Sequence, residues 1–331
     1  MSAFFATVPG AIILLVVGFV LLVKGADFFV EGASSIAKQF KVPSIIIGLT
    51  ICAMGTSLPE AAVSITSSLS GANQLAVSNA IGSNIFNLMV VIGFCAVITT
   101  VPVSKKTLTQ EFPFSVACAV ILLIMGLIGM SVGHIDGVIL LLVFIGYILV
   151  MIRSAKKASA SGDEVEDENV ELAESIEIMP IWKALIFIVG GGAGIALGGD
   201  WVVDAATTMA LKFGMSETLV GLTIVSVGTS LPELVTSFAA ARKHDVDMAL
   251  GNAVGSNVFN ILFVLGMASA ISPIAVVQNN IIDIGVLLVF SLIVWIMGWT
   301  SKKINRVEGA LMLVLYIGYL AYIIVRDMGV A

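Results

Sequence analysis

A thirteen-residue stretch, GLTICAMGTSLPE at 48–60, recurs as GLTIVSVGTSLPE at 221–233, identical at ten of thirteen positions with an offset of 173. A second pair follows at the same offset: VSNAIGSNIFN at 77–87 and LGNAVGSNVFN at 250–260, identical at seven of eleven positions. In each half the glutamate of the first block, Glu60 or Glu233, precedes the last asparagine of the second, Asn87 or Asn260, by 27 residues. Two paired blocks in one register mark an internal duplication, so the fold of one half must be repeated by the other.

What each half can be is limited by composition. The 331 residues are 59% hydrophobic and only 11% charged, whereas a soluble chain carries about a quarter charged residues. A membrane-crossing helix needs about 20 apolar residues. The runs that qualify lie at 10–36, 43–70, 74–98, 112–131 and 134–153, then at 181–209, 216–240, 247–271, 279–300 and 307–325. The predicted fold is an all-α polytopic membrane protein of ten transmembrane helices in two five-helix repeats. Its parts are a first repeat at 1–153, an acidic linker at 154–179 and a second repeat at 180–331. The first apolar run lacks a basic leader and a small-residue cleavage site, and reads as a retained span rather than a signal peptide.

Charge sets the expected orientation. If successive loops alternate sides, one side holds 13 of the 16 basic residues, among them Lys105, Lys106, Arg153, Lys183, Arg242, Lys243 and Arg306. The other side holds only Lys212 and Arg326, with Lys24 inside the first span. The basic side is expected to be cytoplasmic. The sequence therefore predicts a multi-pass protein of the plasma (inner) membrane, with extracytoplasmic termini and a cytoplasmic linker. Five spans per half force the second repeat into the inverse orientation, an architecture of secondary transporters.

The net charge of −6 owes much to that linker, where Asp163, Glu164, Glu166, Asp167, Glu168, Glu171, Glu174 and Glu177 cluster. Such a block reads as a solvated connection, and its spacing does not fit an EF-hand. No basic stripe suggests nucleic acid. Cys52, Cys95 and Cys118 sit in apolar runs and read as packing residues. His134 and Asp136 read as a solvated turn. Asp27 and Glu31, like Asp200 and Asp204, are spaced i, i+4 and share a helix face, which reads as a polar face at a helix end or a solvated cavity, or as part of an ion path.

The chemistry concentrates in the repeated blocks. Glu60 and Glu233 fall near the middle of their spans, where a lone carboxylate costs roughly 2.5–3.5 kcal/mol on insertion scales. Such a group needs water, a partner or a cation. Pro59 and Pro232 remove a backbone donor, and Gly55 and Gly228 loosen the chain, so the helix is expected to break here. Breaks of this kind offer free carbonyls and helix termini to ions. Thr56, Ser57, Thr229 and Ser230 add hydroxyl oxygens beside the breaks. Ser83 with Asn87, and Ser256 with Asn260, are i, i+4 pairs that each face one way. Gly82 and Gly255 permit close helix approach. A set of carboxylate, amide, hydroxyl and carbonyl oxygens suits calcium, and sodium accepts the same donors. There is no His/Cys set for zinc or copper.

These motifs resemble the alpha-repeats of the calcium/cation antiporter superfamily, in its prokaryotic sodium/calcium exchanger branch, over essentially the whole chain. The resemblance implies exchange of external sodium for internal calcium, commonly three to one, by alternating access. It implies that Glu60 and Glu233 are shared ligands of both ions and that Thr56 and Thr229 give backbone or hydroxyl oxygens. It further implies that Ser57, Ser83, Ser230, Ser256, Ala53 and Ser226 line sodium sites, and that Asn87 and Asn260 complete a central diamond. Members that co-transport potassium carry Asp where this chain has Asn260, so potassium independence is expected. The first and sixth spans resemble a gating pair that slides on an eight-helix core, and Gly18, Gly25 and the glycines of 190–199 are expected to smooth that sliding. No cofactor or enzymatic role is expected. The partners are the bilayer and the transported ions, and no obligate protein partner is predicted for what is expected to work as a monomer. A calcium/proton antiporter is the alternative, and a passive cation channel a weaker one.

Overall fold

The computed structural model describes residues 7–69, 73–161, 178–213 and 226–327. The described residues form a bundle of helices. In order they are α1 (Val8–Gln39), α2 (Ser44–Thr56), α3 (Leu58–Leu69), α4 (73–98), α5 (Thr107–Leu127), α6 (His134–Ser161), α7 (Ile181–Lys212), α8 (Ser226–Gly228), α9 (Leu231–Arg242), α10 (Val246–Ile271), α11 (Gln278–Ser301) and α12 (Arg306–Asp327). Among the described residues, eight helices are individually long and apolar enough to cross a membrane. The expected second span is a ninth, made of α2 and α3 bent by 45° about Ser57. The expected seventh span runs partly through 214–225, outside the described residues, as do all eight linker carboxylates.

Local chemistry explains the boundaries. Thr7 caps α1 by accepting from Gly10 N at 3.2 Å, and Asp245 caps α10 by accepting from Met248 N at 3.2 Å. The fourth span begins earlier and ends sooner than 112–131. Ser104 accepts from Thr107 N at 3.1 Å, and a π-helical turn at Thr107–Glu111 carries the helix into Pro113. Gly129 and Met130, with φ of 97° and 52°, then end it. The fifth span continues as helix through Ser161, into what was expected to be linker.

Two small antiparallel ladders tie the halves together. β1 (Val101–Pro102) pairs with β4 (Lys303–Ile304), and β2 (Ser131–Val132) pairs with β3 (Ile274–Ala275). Val101 and Ile274 are 173 residues apart, as are Ser131 and Ile304, so each half contributes one strand to either end of the bundle. Matching π-helical turns occur at Asn87–Val91 and Asn260–Val264, a form common at functional sites.

α1 and α7 interlock along their glycines. A Cβ on Gly25 would lie 2.8 Å from Gly191 O, and one on Gly198 would lie 2.5 Å from Leu22 N. Small residues permit this backbone contact between membrane helices. Gly18, Gly25, Gly191 and Gly198 therefore fuse α1 and α7 to each other, instead of smoothing the pair's movement over the core. At the β1–β4 end this pair is tied down: Arg242 Nη2 lies 2.6 Å from Asp27 Oδ1, and Lys243 Nζ lies 3.7 Å from Glu31 Oε2. Ser34 also donates to Asp245 at 3.0 Å. Toward the β2–β3 end, a cavity of about 540 Å³ separates α7 from α3, walled by Pro59, Ala62, Asp200, Asp204, Thr229 and Pro232 among others. Thus Asp27 and Glu31 anchor α1 to the end of α9, and Asp200 and Asp204 line a cavity.

Candidate functional site

The two helix breaks meet at the centre. Ser57 separates α2 from α3 and Ser230 separates α8 from α9, with Pro59 and Pro232 in the first turns that follow, where the missing donor is not required. Glu60 and Glu233 follow directly, and both are completely buried. Each is held by the other half. Ser57 Oγ donates to Glu233 Oε1 at 2.6 Å, and Ser230 Oγ donates to Glu60 Oε1 at 3.3 Å. Residues 57 and 230 are repeat mates, as are 60 and 233, so this is one contact made twice.

The candidate hydroxyls and amides gather around these carboxylates. Ser83 Oγ lies 3.5 Å from Glu60 Oε1 and 3.0 Å from Ser230 Oγ. Ser256 lies beside Glu233. Thr56, Ser83, Ser256, Asn87 and Asn260 are buried, and Thr229 is half-buried at the cavity wall. Ala53 is buried and offers only a main-chain carbonyl, which already accepts from Ser57 N at 3.1 Å. The side chain of Ser226 lies outside the described residues. Cys52, Cys95 and Cys118 are buried free thiols. His134 Nδ1 is 3.0 Å from Ala270 O, and Asp136 accepts from Gly133 N at 2.8 Å, so both serve the turn before α6.

Several buried polar atoms here have no hydrogen-bond partner: Glu60 Oε2, Glu233 Oε2, both ends of the Asn87 amide, and Asn260 Oδ1. Buried polar groups are almost always paired, and a lone carboxylate oxygen in an apolar interior is especially costly. Hard oxygens left unpaired at one place are what a dehydrated cation needs. Among the described residues no three His, Cys, Asp or Glu side chains converge, so the centre offers two carboxylates with neutral oxygens around them. That composition fits a calcium ion or several sodium ions as cargo and does not fit zinc or copper.

Four asparagines were missed by the sequence reading. Asn84 and Asn257 clasp each other, each Nδ2 donating to the other's main-chain carbonyl at 3.2 Å. Asn84 Oδ1 also accepts from Asn260 Nδ2 at 3.2 Å. Asn79 and Asn252 meet Thr229 and Thr56 across the halves. The signal that could have found them is their identity in both copies of the second block.

The family model described as sodium/calcium exchanger protein matches residues 10–153 and 183–325. The chain is 38% identical over 314 residues to the putative antiporter CaxA of Alkalimonas amylolytica, covering 93% of this chain and 97% of that protein. It is 30% identical over 340 residues to the sodium/calcium exchanger MaX1 of Methanosarcina acetivorans, again covering 93% and 97%. Among solved structures, the sodium-calcium exchanger NCX_Mj superimposes with a TM-score of 0.81 at 32% identity, covering 95% of this chain and 99% of that one.

Proposed function

The chain belongs to the sodium/calcium exchanger protein family, and from that premise we propose that it exchanges external sodium for internal calcium by alternating access, electrogenically and without potassium. The observation that carries this reading is the exchange of serine–glutamate contacts between halves: neither half completes the site alone. Glu60 and Glu233 ligate either calcium or sodium, with Asn87, Asn260, backbone or hydroxyl oxygens of Thr56 and Thr229, and the hydroxyls of Ser57, Ser83, Ser230 and Ser256 closing the shell. Two carboxylates balance one calcium ion. Three sodium ions would leave one positive charge in excess, which makes the cycle sensitive to voltage. Asn260 supplies an amide where a third carboxylate would favour an additional cation.

The matched breaks, the matched π-helical turns and the two cross-paired ladders support ten spans in inverted repeats. The basic loops at the β1–β4 end support a cytoplasmic orientation for that end. The conformation described is then closed toward the cytoplasm by the Asp27–Arg242 and Glu31–Lys243 pairs, and its cavity lies on the external side. Movement of the fused α1–α7 pair over α3 and α9 would close the cavity and free the opposite end.

Calcium uptake into proteoliposomes driven by an outward sodium gradient tests this reading, with potassium present or rigorously absent. Equal rates with and without potassium, changed by an imposed membrane potential, are expected. Uptake that ignores sodium and follows a proton gradient would replace it with calcium/proton antiport. Single-channel current steps would replace it with a passive channel.

A further inference from the structure

The two halves differ where α5 meets α6 and α11 meets α12. Positions 110, 111, 146 and 153 correspond to 283, 284, 319 and 326 by the offset of 173. In the second half Arg326 holds Asp283 through two contacts, at 2.9 and 3.0 Å, and the Tyr319 ring packs against Phe290 with centroids 6.3 Å apart. The groove beside that ring has apolar and aromatic walls and no charged residue. The first half has Gln110 for Asp283, Glu111 for Ile284 and Gly146 for Tyr319, and keeps only the cation, Arg153. Arg153 is exposed, and among the described residues no carboxylate pairs with it.

Where Tyr319 has no counterpart, a cavity of about 440 Å³ lies between α2, α5, α6 and α10 at the β1–β4 end. Leu49, Phe114, Val143, Val254 and Val258 give it apolar walls, and Gly146 and Val150 form an exposed rim. The outer faces of α5 and α6 expose Ile124, Leu142, Ile145 and Leu149, a surface suited to acyl chains. Glu111 lines the cavity, is 6% exposed, and has no hydrogen-bond partner on either carboxylate oxygen. Thr107 and Lys106 are the polar side chains beside it. The Thr107 hydroxyl is engaged with Ser104 Oγ at 2.9 Å, and Lys106 Nζ stays 3.8 Å from Glu111 Oε1, beyond hydrogen-bond distance. Tyr147 directs its hydroxyl to Leu49 O at 3.3 Å. A buried carboxylate without a donor is costly.

We propose that this cavity binds one phospholipid with a primary-amine headgroup, phosphatidylethanolamine. Its ammonium donates to Glu111, its phosphate faces Lys106 and, one turn past Val150, Arg153, and the apolar walls take the start of an acyl chain. Basic side chains between membrane helices favour any phospholipid phosphate, so the selecting group is Glu111. A glycerol headgroup brings no positive charge to it, and a choline headgroup brings charge without an N–H donor. A purely apolar occupant would leave the carboxylate unpaired. The bound lipid would brace Leu49 of α2, the helix that leads into the break at Ser57, against Val254 and Val258 of α10.

Native mass spectrometry of the purified full chain, equilibrated with equimolar phosphatidylethanolamine, phosphatidylcholine and phosphatidylglycerol of matched chains, tests the proposal. Wild type is expected to retain phosphatidylethanolamine with about tenfold preference, the effect of one charge-assisted hydrogen bond. E111Q should lose the preference while still retaining lipid. G146Y copies the second half at a position where an added Cβ meets nothing within 4 Å, and should lose the retained lipid. Both variants should bind calcium by calorimetry as wild type does, which checks their fold. Equal retention of the three lipids by wild type, a preference for phosphatidylglycerol, or a phosphatidylethanolamine preference unchanged in E111Q would overturn the proposal. Should E111Q not fold, G146Y decides alone, and undiminished phosphatidylethanolamine retention there is the contrary result.

Discussion

Removing the charged anchors of α1 should open the protein at the β1–β4 end. Arg242 Nη2 contacts Asp27 Oδ1 at 2.6 Å, with side-chain exposures of 54% and 18%. Lys243 Nζ lies 3.7 Å from Glu31, with exposures of 31% and 45%, and donates to Asp27 O at 2.9 Å. Exposed pairs contribute only about 0.2–1 kcal/mol each after screening. The buried side of Asp27 and the short charge-assisted bond place the first pair at the upper end. Together they are worth roughly 1–2 kcal/mol, a factor of about 5–30 in a two-state population. Among the described residues the other half shows no equal tie, and the repeat mates of Arg242 and Lys243 are Leu69 and Ser70. The assay uses R242A/K243A with a reporter cysteine replacing Ser34, which is 4% exposed beneath the anchors, in a background without the three native cysteines. The rate of labelling by a membrane-impermeant maleimide should rise several-fold over the single-reporter protein, and D200N/D204N should leave it unchanged. Equal labelling with and without the anchors would refute the reasoning.

Two other outcomes follow from the packing and the chemistry of the centre. Gly191→Ala places a Cβ 2.6 Å from Gly25 O and Phe29 N, while Gly190 has nothing within 4 Å of an added Cβ. G191A should therefore lower Tm by an overpacking cost of about 1–3 kcal/mol, whereas G190A should hold or raise it through helix propensity. Acid should inhibit by competition, since carboxylates ligate cations only when deprotonated. Half-saturating calcium should rise as pH falls from about 8 to about 5, with little change in maximal rate at saturating calcium.

The sequence made the centre legible because its signals are local. A proline after a glycine marks the break, and a carboxylate beside it in an apolar run demands a partner, so Glu60 and Glu233 could be named from the chain. The partners could not. Ser57 reaches Glu233 over 176 positions and Arg242 reaches Asp27 over 215, and no periodicity carries information at that range. The fourth span starts before the apolar run at 112, because the π-helical turn at Thr107–Glu111 that precedes it is polar and invisible in composition. The glycines of α1 and α7 announced a close helix contact: Gly18, Gly25, Gly191 and Gly198 pack the two helices on each other, while Gly199 faces Pro232 of α9. Asn79, Asn84, Asn252 and Asn257 were in view within the repeated block. Their sequence neighbours do not show what each amide meets, which is settled only once its donors and acceptors are placed across the halves.

The central claim is that one cation site is built jointly from both halves, with Glu60 and Glu233 as its two charges. Calorimetric titration of calcium into purified protein, with wild type, E60Q and E233Q compared in sodium-free buffer, tests it most directly. Wild type should bind calcium competitively with added sodium, and each variant, still folded and monodisperse, should lose that binding. Calcium binding that survives intact in either variant would place the site within one half and contradict the account.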